Sequence, residues 1–72
     1  MMVTLNAADA SRYVQKMIQD ATGLPTRSPS PNLIRRYCYE GRLKVVNDPA
    51  SKGTREEWRI PLESLQEVFL NA

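Results

Sequence analysis

The chain has 72 residues, 42% hydrophobic and 25% charged, and its ten basic and eight acidic side chains give a net charge of +2. That length suits one small domain, whose core is too small to enclose a sizeable substrate pocket. Cys38 is the single cysteine and histidine is absent, which excludes an intrachain disulfide, the usual His/Cys zinc sites and any histidine-based catalytic triad.

The N-terminal residues lack the basic region and the apolar core of a signal peptide. No apolar run approaches the ~20 residues that span a bilayer. Together with the minimal use of cysteine, these features predict a cytoplasmic protein without a membrane partner.

Charge is distributed unevenly along the chain. Residues 24–59 contain eight basic and four acidic side chains, a surplus of +4. The two flanking regions together contain two basic and four acidic side chains, a balance of −2. The concentration of positive charge in the middle of the chain favours a polyanionic partner.

Residues 7–22 have the pattern of an amphipathic helix. Asn6 suits the N-cap, Asp9 falls in the first turn, and Gly23 suits the position after the last turn. The apolar side chains that repeat at helical spacing are Ala10, Tyr13, Val14, Met17, Ile18 and Ala21.

Residues 23–30, "GLPTRSPS", are too rich in proline and serine to continue that helix and form a connector. We expect Leu24 to anchor the connector on the core.

A second, shorter helix follows over residues 31–40. Ser30 suits its N-cap, Pro31 suits its first position and Gly41 ends it. The side chains predicted for its inner face are Leu33, Ile34, Tyr37 and Cys38, and those predicted for its outer face are Asn32, Arg35, Arg36 and Tyr39.

Two short segments, "RLKVV" at 42–46 and "EEWRI" at 56–60, alternate as strands do and flank a stretch rich in turn residues. They predict a hairpin with a basic tip. Pro61 then opens a last helix, whose inner face holds Leu62, Leu65, Val68 and Phe69. The predicted fold is α+β and mostly α, with the order helix, helix, hairpin, helix.

Nothing in the sequence indicates catalysis. No serine, cysteine or lysine has an evident base, no carboxylate pair stands out, and the glycines form no phosphate-binding motif. Cys38 fits the apolar face of its helix and is interpreted as a small buried hydrophobe. We therefore expect no enzyme activity, no cofactor, no metal site and no small-molecule substrate.

Binding to double-stranded DNA explains more of the pattern. A short helix can enter the major groove, where arginine reads guanine and asparagine reads adenine, and Asn32, Arg35 and Arg36 are residues of these types. Thr26, Ser28 and Ser30 can donate hydrogen bonds to phosphates, and Tyr39 can contact a sugar or a thymine methyl group. Lys52 and Arg55 in the hairpin loop can reach the minor groove or the backbone.

Each of these residues also has a simpler interpretation. The arginine pair can be a solvated helix face that forms ion pairs with Glu40. Tyr37 and Trp58 can pack on the core, and Tyr39 can simply be exposed. The combination of helix, basic hairpin and concentrated charge favours DNA, and the alternative function is an adaptor that binds an acidic protein with the same surface.

Three stretches resemble the small winged helix-turn-helix domains of phage and plasmid excisionases and of MerR-type regulators. They are "LNAADASRYV", "NLIRRYCYEGRLKVV" and "REEWRIPLESLQEVFL", with "EGRL" at 40–43 and "WRIPLESL" at 58–65 as the most typical parts. The resemblance covers nearly the whole chain, although the connector at 23–30 is longer than the brief turn of the family.

The resemblance implies that residues 31–40 are the recognition helix and that residues 47–55 are the wing. Asn32, Arg35 and Arg36 would then face the major groove, Lys52 and Arg55 would contact DNA from the wing, and Arg42 would touch a phosphate. The long connector would add a contact from Arg27. The family also implies cooperative self-association on DNA, or help from a recombinase or another protein.

Overall fold

The computed structural model describes residues 3–47, 49 and 57–70. In chain order the elements are strand β1 (Thr4–Leu5), helix α1 (Ala7–Thr22), helix α2 (Pro31–Tyr39), strand β2 (Ile60–Pro61) and helix α3 (Leu62–Phe69). The architecture is mostly helical, with a two-stranded antiparallel sheet, which confirms the α+β class.

Helix α1 has the boundaries that its sequence predicts. The side chain of Asn6 accepts a hydrogen bond from the backbone N–H of Asp9 at 2.8 Å, so it satisfies one of the free donors of the first turn. At the other end Gly23 adopts φ +71°, and its N–H bonds to the carbonyl of Gln19. Glycine fits this left-handed position because it has no Cβ.

Local signals also define both ends of helix α2. Ser30 Oγ accepts a hydrogen bond from the N–H of Leu33, and Pro31 occupies the first turn, where its missing N–H has no intrahelical partner to lose. The helix ends at Tyr39, with Glu40 as C-cap and Gly41 at φ +78°.

Helices α1, α2 and α3 share one hydrophobic core. Its buried apolar residues are Ala7, Ala10, Val14, Ile34, Cys38, Leu43, Ile60 and Leu65. Tyr13, Met17, Ile18, Tyr37, Trp58, Val68 and Phe69 pack against it while partly exposed. Ala21 and Leu24 are wrong predictions, because Ala21 is exposed and Leu24 is 65% exposed, so the connector is not anchored by its leucine. Leu33 and Leu62, also predicted for inner faces, are half-buried and are not among the residues packed against the core.

Strand β1 lies where no strand was predicted, and β2 overlaps the predicted strand at 56–60 only at Ile60. β1 pairs with β2, with Thr4 opposite Pro61 and Leu5 opposite Ile60. Leu62 N–H adds a bond to the carbonyl of Val3 at 3.4 Å. The N-terminal residues thus tie the start of α3 to the start of α1.

The prediction of a strand at 42–46 is wrong. Arg42 and Leu43 donate their N–H groups to the carbonyl of Tyr37, and Lys44 donates to Ser64 Oγ at 2.7 Å. Only Val46 N–H bonds to the opposite segment, at the carbonyl of Arg59. Since most donors of the segment are used elsewhere, no regular ladder forms between 42–47 and 57–59.

Among the residues that the structure describes, no helix is both long enough and apolar enough to span a membrane.

Candidate nucleic-acid interface

Packing fixes the rotation of α2 about its axis. Ile34 and Cys38 are buried against the core, one turn apart on the same face. Asn32, Arg36 and Tyr39 are consequently exposed on the other side, with Tyr39 at 76% exposure. The predicted division of α2 into an inner and an outer face is confirmed for these residues, whereas Leu33 and Arg35 are half-buried between the two faces.

Asn32 and Arg35 are neighbours on this outer face. Arg35 Nη1 donates to Asn32 Oδ1 at 3.1 Å, and Arg35 Nη2 lies 4.0 Å from Glu57 Oε1. The asparagine thus holds the guanidinium in place by a single hydrogen bond. Both side chains keep further donors for an outside acceptor.

A second cluster lies at the C-terminal end of α2. Glu40 Oε1 accepts a hydrogen bond from Arg36 Nε at 3.2 Å, and Glu40 Oε2 lies 3.9 Å from Arg42 Nε. The Arg36 and Arg42 side chains are 74% and 61% exposed. The ion pairing predicted between the arginine pair and Glu40 is therefore present for Arg36 and is extended to Arg42.

The two tyrosines of α2 have different roles. Tyr37 stacks on Phe69 of α3, with ring centroids 5.8 Å apart and planes at 17°. The guanidinium carbon of Arg42 lies 5.2 Å from the centroid of the Tyr37 ring, which is a cation–π distance. Tyr37 is thus a packing residue, as predicted, while Tyr39 points to solvent.

The connector is held against α1 by a stripe of polar side chains. Gln15 and Gln19 donate their Nε2 groups to the carbonyl of Thr26, at 2.8 and 3.2 Å, and Ser11 Oγ donates to the carbonyl of Pro29. Sequence reasoning missed this contact, although serine and glutamine at i, i+4 and i+8 do mark one helical face.

Between those two anchored carbonyls lie Arg27 and Ser28, both exposed. Ser30 and Thr26 are less available than predicted, because Ser30 Oγ caps α2 and Thr26 Oγ1 donates to the carbonyl of Leu24. Within the described residues, no hydrogen bond joins Arg27 or Ser28 to the outer face of α2.

The predicted wing residues Lys52 and Arg55 lie outside the described residues. The two ends of that segment are described, and the side chain of Asn47 joins them. Asn47 Nδ2 donates to the carbonyl of Glu57 at 2.9 Å, and Asn47 Oδ1 accepts from Arg59 N–H at 2.8 Å. The amide thus imitates a strand peptide group, and residues 47 and 57 are held side by side.

Cys38 has the environment of a packing residue. Burial raises the pKa of its thiol to about 11, so it remains protonated at neutral pH. In the described part of the chain no three His, Cys, Asp or Glu side chains are grouped as metal ligands would be.

Comparison of the chain with protein-family models, with curated proteins and with solved structures finds no significant match in any of the three.

Proposed function

We propose that this chain binds double-stranded DNA in a sequence-specific manner, as a small winged helix-turn-helix protein without catalytic activity. The observation that carries the proposal is the outer face of α2. There Asn32, Arg35, Arg36 and Tyr39 project away from a helix whose opposite face is fixed in the core. Asn32 and Arg35 are the residues we assign to base edges in the major groove.

The energetics favour exchange of the present partners for DNA. Exposed ion pairs such as those of Arg35 and Arg36 are worth only ~0–1 kcal/mol. A bidentate contact between arginine and guanine discriminates by ~1–3 kcal/mol. Arg35 can therefore leave Glu57 at little cost when a base edge is offered.

Further contacts come from the segments beside α2. Arg27 and Ser28 on the connector, the remaining O–H of Ser30 and Arg42 after Gly41 are assigned to backbone phosphates. The contact between residues 47 and 57 supports the proposed wing, because it holds the two ends of that segment side by side. Lys52 and Arg55 would contact DNA from the wing.

The biological role we propose is that of an excisionase-like recombination directionality factor or a small transcriptional regulator of a mobile element. A lone module of this size buries only ~600–1,000 Å² on DNA. Tight and selective binding then requires cooperative self-association on neighbouring sites, or a recombinase or another protein as partner.

A salt titration of binding to short duplexes tests the proposal. With about five phosphates neutralised, log K should fall against log salt with a slope near −4.5. Absence of binding to any duplex at low salt would contradict it. Tight binding to an acidic protein under the same conditions would then favour the adaptor function.

A further inference from the structure

Glu40 stands between two arginines at the end of α2. Each of its carboxylate oxygens faces the Nε atom of a different arginine, Arg36 at 3.2 Å and Arg42 at 3.9 Å. One carboxylate thus accepts a hydrogen bond from Arg36 and lies within ion-pair distance of Arg42, in both cases at the Nε atom.

The backbone produces this arrangement. Glu40 continues the helical conformation as C-cap, and Gly41 then reverses the chain at φ +78°. The N–H of Arg42 bonds back to the carbonyl of Tyr37 at 2.9 Å, which folds Arg42 onto the last turn of α2. The two arginines therefore converge although the helix ends between them.

Arg42 is held from a second side by the core. Its guanidinium lies over Tyr37, and Tyr37 is itself stacked on Phe69. Arg36 in turn is tethered to Arg42 through Glu40. The contacts described for both arginines use Nε or the ring face of Tyr37, which leaves the four N–H groups on the Nη atoms of each arginine for another acceptor.

The charge and shape of the cluster suit one anion. Two arginines and one glutamate carry a net charge of +1, and a phosphodiester carries one negative charge on two non-bridging oxygens. Each oxygen can accept hydrogen bonds from one guanidinium. Because the ion pairs are exposed, they add little to stability, and their main effect is to orient the arginines.

We propose that Glu40 is a positioning residue, which holds Arg36 and Arg42 so that their Nη atoms bind one phosphate group of the DNA backbone together. This inference rests on the proposed DNA-binding function. It assigns Arg36 to a phosphate and leaves base reading on α2 to Asn32 and Arg35.

The substitution Glu40→Ala gives a test whose sign is decisive. If Glu40 acted only as a negative charge near DNA, its removal would tighten binding. If Glu40 is a positioning residue, Glu40→Ala should weaken duplex binding about 3-fold to 10-fold. This is the loss expected when a long side chain that was already oriented must instead be ordered on binding. Glu40→Gln keeps one acceptor oxygen and should lose less affinity for the duplex than Glu40→Ala.

The matched control is Glu67→Ala, which removes the same charge from the exposed face of α3. The affinity of the Glu67→Ala variant for the duplex should stay unchanged or rise slightly. Circular dichroism checks that each variant is folded, and if Glu40→Ala unfolds, Glu40→Gln against Glu67→Gln decides by the same signs. Tighter binding by the Glu40 variants, or equal binding by the Glu40 and Glu67 variants, would overturn the inference.

The salt dependence tests whether one phosphate is shared. Removing both arginines, as Arg36→Ala with Arg42→Ala, should reduce the magnitude of the slope by about 0.9, the value for one phosphate. A reduction of about 1.8 would mean two separate phosphates and would overturn the shared site. If the unchanged protein binds no duplex at low salt, the proposed function fails and this inference fails with it.

Discussion

At the scale of single residues, α2 separates a buried thiol from an exposed cation within one turn. Cys38 is 5% exposed, whereas the Arg36 side chain two positions earlier is 74% exposed. Since successive helical positions are rotated by about 100°, neighbours in sequence reach opposite environments. Cys38 is thereby a core residue, whereas the guanidinium of Arg36 lies at the surface beside Glu40.

The raised pKa of Cys38 predicts a loss of stability in alkali. Because the thiol titrates at about 11 in the folded chain and at 9.0 ordinarily, its contribution is complete below pH 9 and is lost as the pH rises toward 11. Over this pH interval the free energy of unfolding should decrease more in the unchanged protein than in Cys38→Ala. The difference between the two decreases should be on the order of 2 kcal/mol. Urea titrations across pH 8–11 measure the difference, and parallel curves would contradict the prediction.

At the scale of elements, the connector is ordered by side chains of α1 instead of its own backbone. Two glutamine amides converge on the carbonyl of Thr26, and Ser11 reaches the carbonyl of Pro29. The segment that carries Arg27 is thereby held at both ends. The connector can therefore hold Arg27 in a defined position although it is longer than a brief turn.

Removal of this contact should loosen the connector. We expect Gln15→Ala with Gln19→Ala to destabilise the chain by about 1–2 kcal/mol, because two hydrogen bonds to one carbonyl are lost. Trypsin should then cleave after Arg27 several-fold faster. Gln66→Ala is the control, since that amide donates to the Tyr13 hydroxyl and does not touch the connector. Equal cleavage rates in the two variants would contradict the account.

The helix ends could be predicted because their causes are local. Asn6, Gly23 and Ser30 act on backbone groups within four residues, so the sequence around each position contains the whole interaction. Burial of Leu43 and packing of Val45 also follow from their alternation.

The remaining features depend on partners distant in sequence. Lys44 N–H donates to Ser64 Oγ, and the carbonyl of Thr26 accepts from the glutamines of α1. The polar stripe of α1 is visible in the sequence, but nothing near these residues identifies the group with which each of them pairs. The alternation of residues 42–46 therefore predicts a strand, although most of their backbone N–H donors bond to other parts of the chain. The outer face of α2 was predictable, whereas the position of Arg42 beside Arg36 required the turn at Gly41.

At the scale of the whole molecule, the domain combines a small core with a concentrated positive charge. Among the described residues, the largest fully buried side chains are Val14, Ile34, Leu43, Ile60 and Leu65, one each from α1, α2, the segment after Gly41, β2 and α3. Such a core supports a surface function better than an enclosed site. The surplus of +4 in residues 24–59 lies where α2, the connector and the proposed wing are found.

The central claim is that the outer face of α2 reads a duplex sequence. Its most direct test is selection of bound duplexes from a random pool, followed by affinity measurements on the recovered site. We predict that Arg35→Ala costs ~1–3 kcal/mol on that site and little on scrambled DNA, so that specificity is relaxed. Arg12→Ala, which removes an exposed arginine of α1 paired with Asp9, should leave the ratio of the two affinities unchanged. Failure to recover any motif, or equal losses from Arg35→Ala on both duplexes, would contradict the claim.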